Sequence, residues 1–205
     1  MTTVAVVPIK KLEDAKTRLA ERLTPPERRC LVLNLLRHVL TVLQESSLVH
    51  EIIVVTPDPG MLRQIELLGA NGILQTGVGL NAAIRLGREY ALRYKATTML
   101  VLLPDLPLLT ATDIDALLGA ADEGMLVLAP DRHGTGTNAI VLHPPDAIDP
   151  AFGINSLCAH RAGAREKRLL LREYRSIGTG FDLDTGADLD ELEHLPLNEI
   201  GYLEW

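Results

Sequence analysis

Aromatic residues are scarce in this chain: two Phe, four Tyr and one Trp, 3% of 205 residues. Its core must therefore be built from Leu, Val, Ile and Ala, within an ordinary globular hydrophobic share of 47%. Cysteine is nearly absent. Cys30 and Cys158 lie far apart and form no CxxC, which argues against a structural zinc or a disulfide framework and suits a reducing cytoplasm. No long apolar run follows a basic N-terminus, so neither a signal peptide nor a membrane span is expected. Net charge is −7, which argues against a nucleic-acid binder with a broad basic face but not against a small anionic ligand. Several catalytic patterns are also missing. No GxxxxGK[ST] is present, Gly77-Val78-Gly79 fails GxGxxG, no Gly-x-Ser-x-Gly occurs, and the six histidines show no metal-ligand spacing, His38 reading as a plain helix residue.

What remains is an alternation of apolar strands and amphipathic helices. Thr3–Ile9 is a continuous β-branched run, the pattern of a strand buried on both faces. A polar loop covers Lys10 to Ala20, and Thr24-Pro25-Pro26-Glu27 opens a helix reaching about Glu45, with Thr24 and Glu27 as a capping box. Strands follow at 52–55, weakly at 73–75, and at 98–103, 126–129 and 139–142. Helices are expected at 61–68, 81–94, from Thr110, and at 186–193, with a Gly-rich loop from Arg132 to Asn138. This is the pattern of a three-layer α/β/α sandwich with a mostly parallel sheet, as one domain over 1–205. Roughly 70% of the unfolded surface would be buried in a domain of this size.

Ligands of open α/β sheets bind beyond the C-terminal strand ends. Those ends carry Lys10, Lys11, Lys16 and Arg18 after the first strand, Gly79-Leu80-Asn81 opening a helix, and Asp105 after the strand at 98–103. Cations, a glycine-opened helix start and a strand-end carboxylate point to a phosphorylated ligand with a divalent metal. Plainer roles stay open for each: Lys10 to Arg18 as a solvated loop, Gly77–Gly79 as a turn, Asp105 as a helix cap. Asp182 and Asp184 add a second carboxylate pair, with Asp184 alternatively capping the helix at 186–193.

Val7-Pro8-Ile9-Lys10 followed by Ala15-Lys16-Thr17-Arg18-Leu19-Ala20 resembles the opening of the 2-phospho-L-lactate and phosphoenolpyruvate guanylyltransferases of coenzyme F-420 biosynthesis. Gly79-Leu80-Asn81-Ala82-Ala83, Asp105-Leu106-Pro107, Gly136-Thr137-Asn138, Phe152-Gly153-Ile154-Asn155-Ser156 and Asp182-Leu183-Asp184-Thr185 match in the same order, so the resemblance spans the chain. It implies a nucleotide-diphospho-sugar transferase (GT-A-like) fold and a cytoplasmic enzyme joining GMP from GTP to a phosphorylated three-carbon acid with release of pyrophosphate. It further implies Mg²⁺ on Asp105 and on Asp184 or Asp182, and the triphosphate on Lys10, Lys16 and Arg18. Gly79, Leu80 and Asn81 would line the guanosine pocket, and Thr137, Gly153 and Ser156 would bind the acid. Which acid is left open, since such substrates differ by only about 1–3 kcal/mol in a pocket.

Two other readings compete. Molybdopterin-type cytidylyl- and guanylyltransferases share the fold, but they open with a Gly-rich loop ending in Arg-Met-Gly where this chain has Pro8-Ile9-Lys10. An inactive nucleotide-binding scaffold would have lost Lys10, Lys16, Asp105 or Asp184, all present here. The apolar tail Leu195, Leu197, Ile200, Tyr202, Leu203 and Trp205 must pack on its own domain or in a homodimer.

Overall fold

Thr3, Val4, Ala5, Val6, Val7 and Pro8 are small, β-branched or conformationally stiff, and all six are buried in β1 (Thr3–Pro8). A strand buried on both faces belongs in the middle of a sheet with helices on either side. The computed structural model, which describes residues 2–12 and 15–195, places it there. β1 pairs in parallel with β2 (Glu51–Thr56) and with β4 (Thr98–Leu102), and β2 pairs in parallel with β3 (Asn71–Leu74). β6 (Thr137–His143) runs antiparallel between β4 and β5 (Met125–Pro130), and β7 (Leu170–Glu173) lies parallel to β5 at the far edge. The order is 3-2-1-4-6-5-7.

The two-residue period of β1 divides the core. Ala5 and Val7 pack with α1 (Pro25–Glu45), α2 (Leu62–Leu67) and α4 (Ala111–Gly119), while Val4 and Val6 face α3 (Leu80–Arg93) and α5 (Ser156–Glu166). The three-layer sandwich expected from the strand pattern is therefore present, with one antiparallel strand inside a parallel sheet. A third apolar cluster was not anticipated. Leu19, Leu31, Leu35, Leu108, Phe181, Leu183, Leu189 and Leu192 join the loop after β1, the first half of α1, and the segment leading into α7 (Gly186–Glu193).

Thr137 and Asn138 lie in β6 rather than in the preceding loop, because pairing continues past an irregularity at Ala129/Pro130 to bring Thr137 opposite Pro130. α5, β7 and the short α6 (Ile177–Gly180) had no clear signal: α5 is rich in Arg, Ala and Gly, and β7 is an edge strand with Leu170 largely exposed. Among the described residues no helix is long and apolar enough to cross a membrane. Leu195 packs against the third cluster. The rest of the apolar tail, Leu197 to Trp205, lies outside the described residues.

Candidate active site

The loop after β1 is shaped by Leu19, which is fully buried and anchors a tight turn at Thr17–Leu19. Lys16 precedes that turn in the left-handed region, φ 53° and ψ 36°. A residue with a Cβ adopts this conformation at a cost of about 1–2 kcal/mol, so something must hold it. Two carboxylates do. The Lys16 ammonium lies 2.8 Å from Asp105 Oδ2 and 2.8 Å from Asp184 Oδ1, with only 9% of its side chain exposed. Burial alone would lower its pKa, but the two carboxylates outweigh it and raise the value, so Lys16 stays charged.

Asp105 and Asp184 come from distant parts of the chain and are fixed together by backbone. Asp105 follows β4, and its carbonyl accepts the Leu183 N–H at 3.0 Å. The Asp184 N–H donates to Asp188 Oδ2 at 2.9 Å. Asp188 also accepts the Thr185 N–H and hydroxyl, and its other oxygen pairs with Arg132. Thr185, not Asp184, is thus the residue that caps α7, which leaves the Asp184 carboxylate free for Lys16. Arg132 also stacks over the Phe181 ring at 4.5 Å, so one guanidinium braces both ends of the 181–188 segment. Asp182 faces Asn138 Nδ2 at 3.4 Å, and burial, with the charge of Asp105 adding to it, raises its pKa.

A cleft of about 340 Å³ opens over this centre, lined by Lys10, Lys16, Arg18, Leu80, Asp105 and Asp184 among others. A second cleft of about 330 Å³ adjoins it through Pro8, Ile9, Lys10 and Leu80. Its wall is Pro57, Gln75 and the turn Gly77–Gly79, where Gly79 sits at φ 92° before α3. Asn81 lines neither cleft. Its amide donates to the Phe152 carbonyl at 2.9 Å and accepts the Phe152 N–H at 2.8 Å, tying the α3 start to the 151–155 loop.

Thr137, Gly153 and Ser156 gather at the start of α5, again outside both clefts. Ser156, the first residue of that helix, donates its N–H to the Gly153 carbonyl at 3.1 Å, and Gly153 takes φ 134°, a conformation open to glycine. The next amide, Leu157 N–H, reaches Thr135 at 3.2 Å, and Thr137 Oγ1 lies 3.0 Å from His160 Nδ1. Lys16 therefore touches both Asp105 and Asp184, Lys10, Arg18 and Leu80 line the same cleft, and Gly79 lines the adjoining one. The Asn81–Phe152 clasp joins the third group to that centre. Arg132 and Asn138 stood in the sequence motifs without a role, and Asp188 and His160 were given none. For Asp188 the signal was there, in Thr185-x-x-Asp188; a histidine in mid-helix offers none.

Comparison with known proteins gives the family. The model of the "guanylyl transferase CofC like" family matches residues 3–195, nearly the whole chain. The chain belongs to that family. A phosphoenolpyruvate guanylyltransferase of Sphaerobacter thermophilus is 55% identical over 198 residues, 96% of each chain. The 2-phospho-L-lactate guanylyltransferase of Methanothermobacter thermautotrophicus is 31% identical over 193 residues, 94% of this chain and 84% of that one. Among solved structures, a protein of Desulfovibrio desulfuricans assigned to the nucleotide-diphospho-sugar transferases superposes with a TM-score of 0.78. It is 16% identical and covers 95% of this chain and 87% of its own, which bears on the fold alone. This CofC-like protein is a nucleotidyltransferase with the sandwich expected for that group.

Proposed function

We propose that this enzyme transfers GMP from GTP to phosphoenolpyruvate, or failing that to 2-phospho-L-lactate, releasing pyrophosphate as a step of coenzyme F-420 biosynthesis. One observation carries the reading: a buried ammonium held between two aspartates on the floor of a cleft bordered by further cations. The name of the Sphaerobacter relative supports phosphoenolpyruvate as the acid. The archaeal relative supports 2-phospho-L-lactate as the alternative.

The donor set fits a divalent cation. Asp105 Oδ1 is buried and receives no hydrogen bond, and carboxylate oxygens are the hard ligands that Mg²⁺ takes. Among the described residues no cluster of three or more His, Cys, Asp or Glu surrounds one point. Asp105 and Asp184 would hold Mg²⁺, a hard cation suited to carboxylate oxygens. When bound, it neutralises charge on the triphosphate.

Lys10, Lys16 and Arg18 bind the triphosphate and stabilise the charge that develops on the departing pyrophosphate. The largely apolar cleft beside Gly79 and Leu80 takes the guanosine. Thr137, Gly153 and Ser156 bind the acid, whose own phosphate oxygen attacks the α-phosphorus. One P–O bond forms there as the α–β bridging P–O bond breaks, so no side chain must remove a proton. Orientation and charge neutralisation are the catalysis. Pyrophosphate release measured with GTP and phosphoenolpyruvate, 2-phospho-L-lactate or 3-phospho-D-glycerate in turn, with product masses, tests this. Release with phosphoenolpyruvate and a guanylylated product is expected. Silence with all three acids, or a preference for CTP, overturns it.

A further inference from the structure

The chemistry assigned to Thr137 depends on which way its hydroxyl is polarised. A serine or threonine hydroxyl both donates and accepts, whereas an anionic oxygen needs a donor. His160 decides the matter. Its ring has no solvent exposure and stands one helical turn beyond Ser156 in α5. Nε2 lies 2.9 Å from the Ala151 N–H, which can only donate, so Nε2 must be the acceptor. The neutral ring then carries its hydrogen on Nδ1 and donates it to Thr137 Oγ1 at 3.0 Å. No other described group hydrogen-bonds that hydroxyl, so its own hydrogen remains to be given away.

We infer that His160 is a positioning residue for the phosphorylated acid: it makes Thr137 an obligate donor and pins the loop that carries Gly153. This rests on the assignment of Thr137 to the acid made above. The same ring does both tasks, since its Nδ1 faces β6 and its Nε2 faces Ala151, while the Phe152 ring packs edge-on against it at 5.0 Å. Phe152 is in turn clasped by Asn81 at the start of α3. The acid loop is thus fixed at adjacent residues from two different helices. Burial holds the imidazole neutral, its pKa lowered to about 4, so the polarity persists near neutral pH.

Two isosteres separate the tasks. In His160→Gln the terminal amide reaches the Nε2 position, keeping an acceptor for Ala151 and losing the donor to Thr137. In His160→Asn an amide nitrogen stands near the Nδ1 position and restores that donor. His160→Gln is expected to raise KM for the acid about tenfold with KM for GTP within about twofold, and His160→Asn, which restores the donor but loses the acceptor for Ala151, to recover part of that loss. Thr137→Val should match His160→Gln, and the double variant should be no worse than Thr137→Val, since both break one interaction. Parallel rises in both KM values, or additive effects in the double variant, overturn the inference. Should Thr137→Val leave the acid KM unchanged, the placement of the acid itself falls, and this inference with it. Should Thr137→Val impair acid binding while His160→Gln does not, the inference alone falls. Nitrogen-15 NMR of the wild-type ring checks it without any variant: an Nδ1–H tautomer supports it and an Nε2–H tautomer overturns it.

Discussion

Lys16 has the most exacting position of any single residue in the site. Its left-handed backbone, its near-complete burial and its two carboxylate partners form one arrangement in which each feature needs the others. Removing the ammonium leaves Asp105 and Asp184 facing each other across a cleft that must accept a polyanion. Lys16→Met is therefore expected to lower kcat/KM about 10²–10³-fold, the usual loss when a preorganised charge is withdrawn from a site. Stability should fall by only about 1–3 kcal/mol, less than for a fully buried pair, because 42% of the Asp184 side chain remains exposed. Steady-state kinetics beside urea denaturation check both parts. The same geometry ranks the two C-terminal aspartates. Asp184 touches the ammonium, whereas Asp182 faces an amide. Asp184→Asn should cost about tenfold more activity than Asp182→Asn, and equal losses would refute the ranking.

At the scale of elements, close packing of α3 on β1 is set by Gly87. A Cβ there would meet Val6 Cγ1 at 2.3 Å, a side chain buried in the middle of the sheet. Gly87→Ala gains about 1 kcal/mol in helix propensity. The overlap costs about 1–3 kcal/mol in a core that cannot relax, so a net loss in the urea midpoint is expected. The central strands and α1 were legible from sequence because burial imposes a strict pattern: six consecutive buried residues in β1, and Thr24 with Glu27 at the head of α1, where the Glu27 carboxylate does accept the Thr24 N–H at 2.7 Å. β7 was not legible, since it has four residues, three exposed and one partly buried, too short and too wet to impose a burial pattern on its sequence. The site divides the same way. Lys10, Lys16 and Asp105 stand at strand ends, where the fold alone directs attention. That Asp184 is the partner depends on the third apolar cluster, whose members are scattered from Leu19 to Leu192 and show no periodicity together. His160 depends on contacts no spacing encodes.

Across the whole molecule the charge is unevenly laid out. From Phe181 to Trp205 there are eight carboxylates and no Lys or Arg, while the first 180 residues hold 19 carboxylates against all 20 lysines and arginines. The cleft sits on the seam, with cations from the loop after β1 on one side and Asp184 on the other. An acidic net charge is thus compatible with a triphosphate because its acidity is concentrated in one segment, part of which serves the site. Asp182 and His160 are two of the groups whose pKa the fold shifts, and they respond to acid with opposite signs. Asp182, raised by burial, binds a proton more readily folded than unfolded and favours folding as pH falls. His160, lowered from the ordinary 6.5 to about 4, binds a proton more readily unfolded, so its contribution is complete above pH 6.5 and is lost as pH drops through that window toward 4. Between pH 7.5 and 4.5 the histidine alone should take about 2–3 kcal/mol from the stability, by the linkage between pKa and unfolding. Glutamine at the same site has no proton to bind. The stability of His160→Gln, lower at neutral pH for its lost hydrogen bond, should therefore fall less steeply with acid, and the difference between the two proteins should shrink or reverse by pH 4.5. Urea midpoints of both proteins at the two pH values decide it: parallel curves would mean that the ring titrates near its ordinary value and is not the sealed, neutral donor its hydrogen bonds describe.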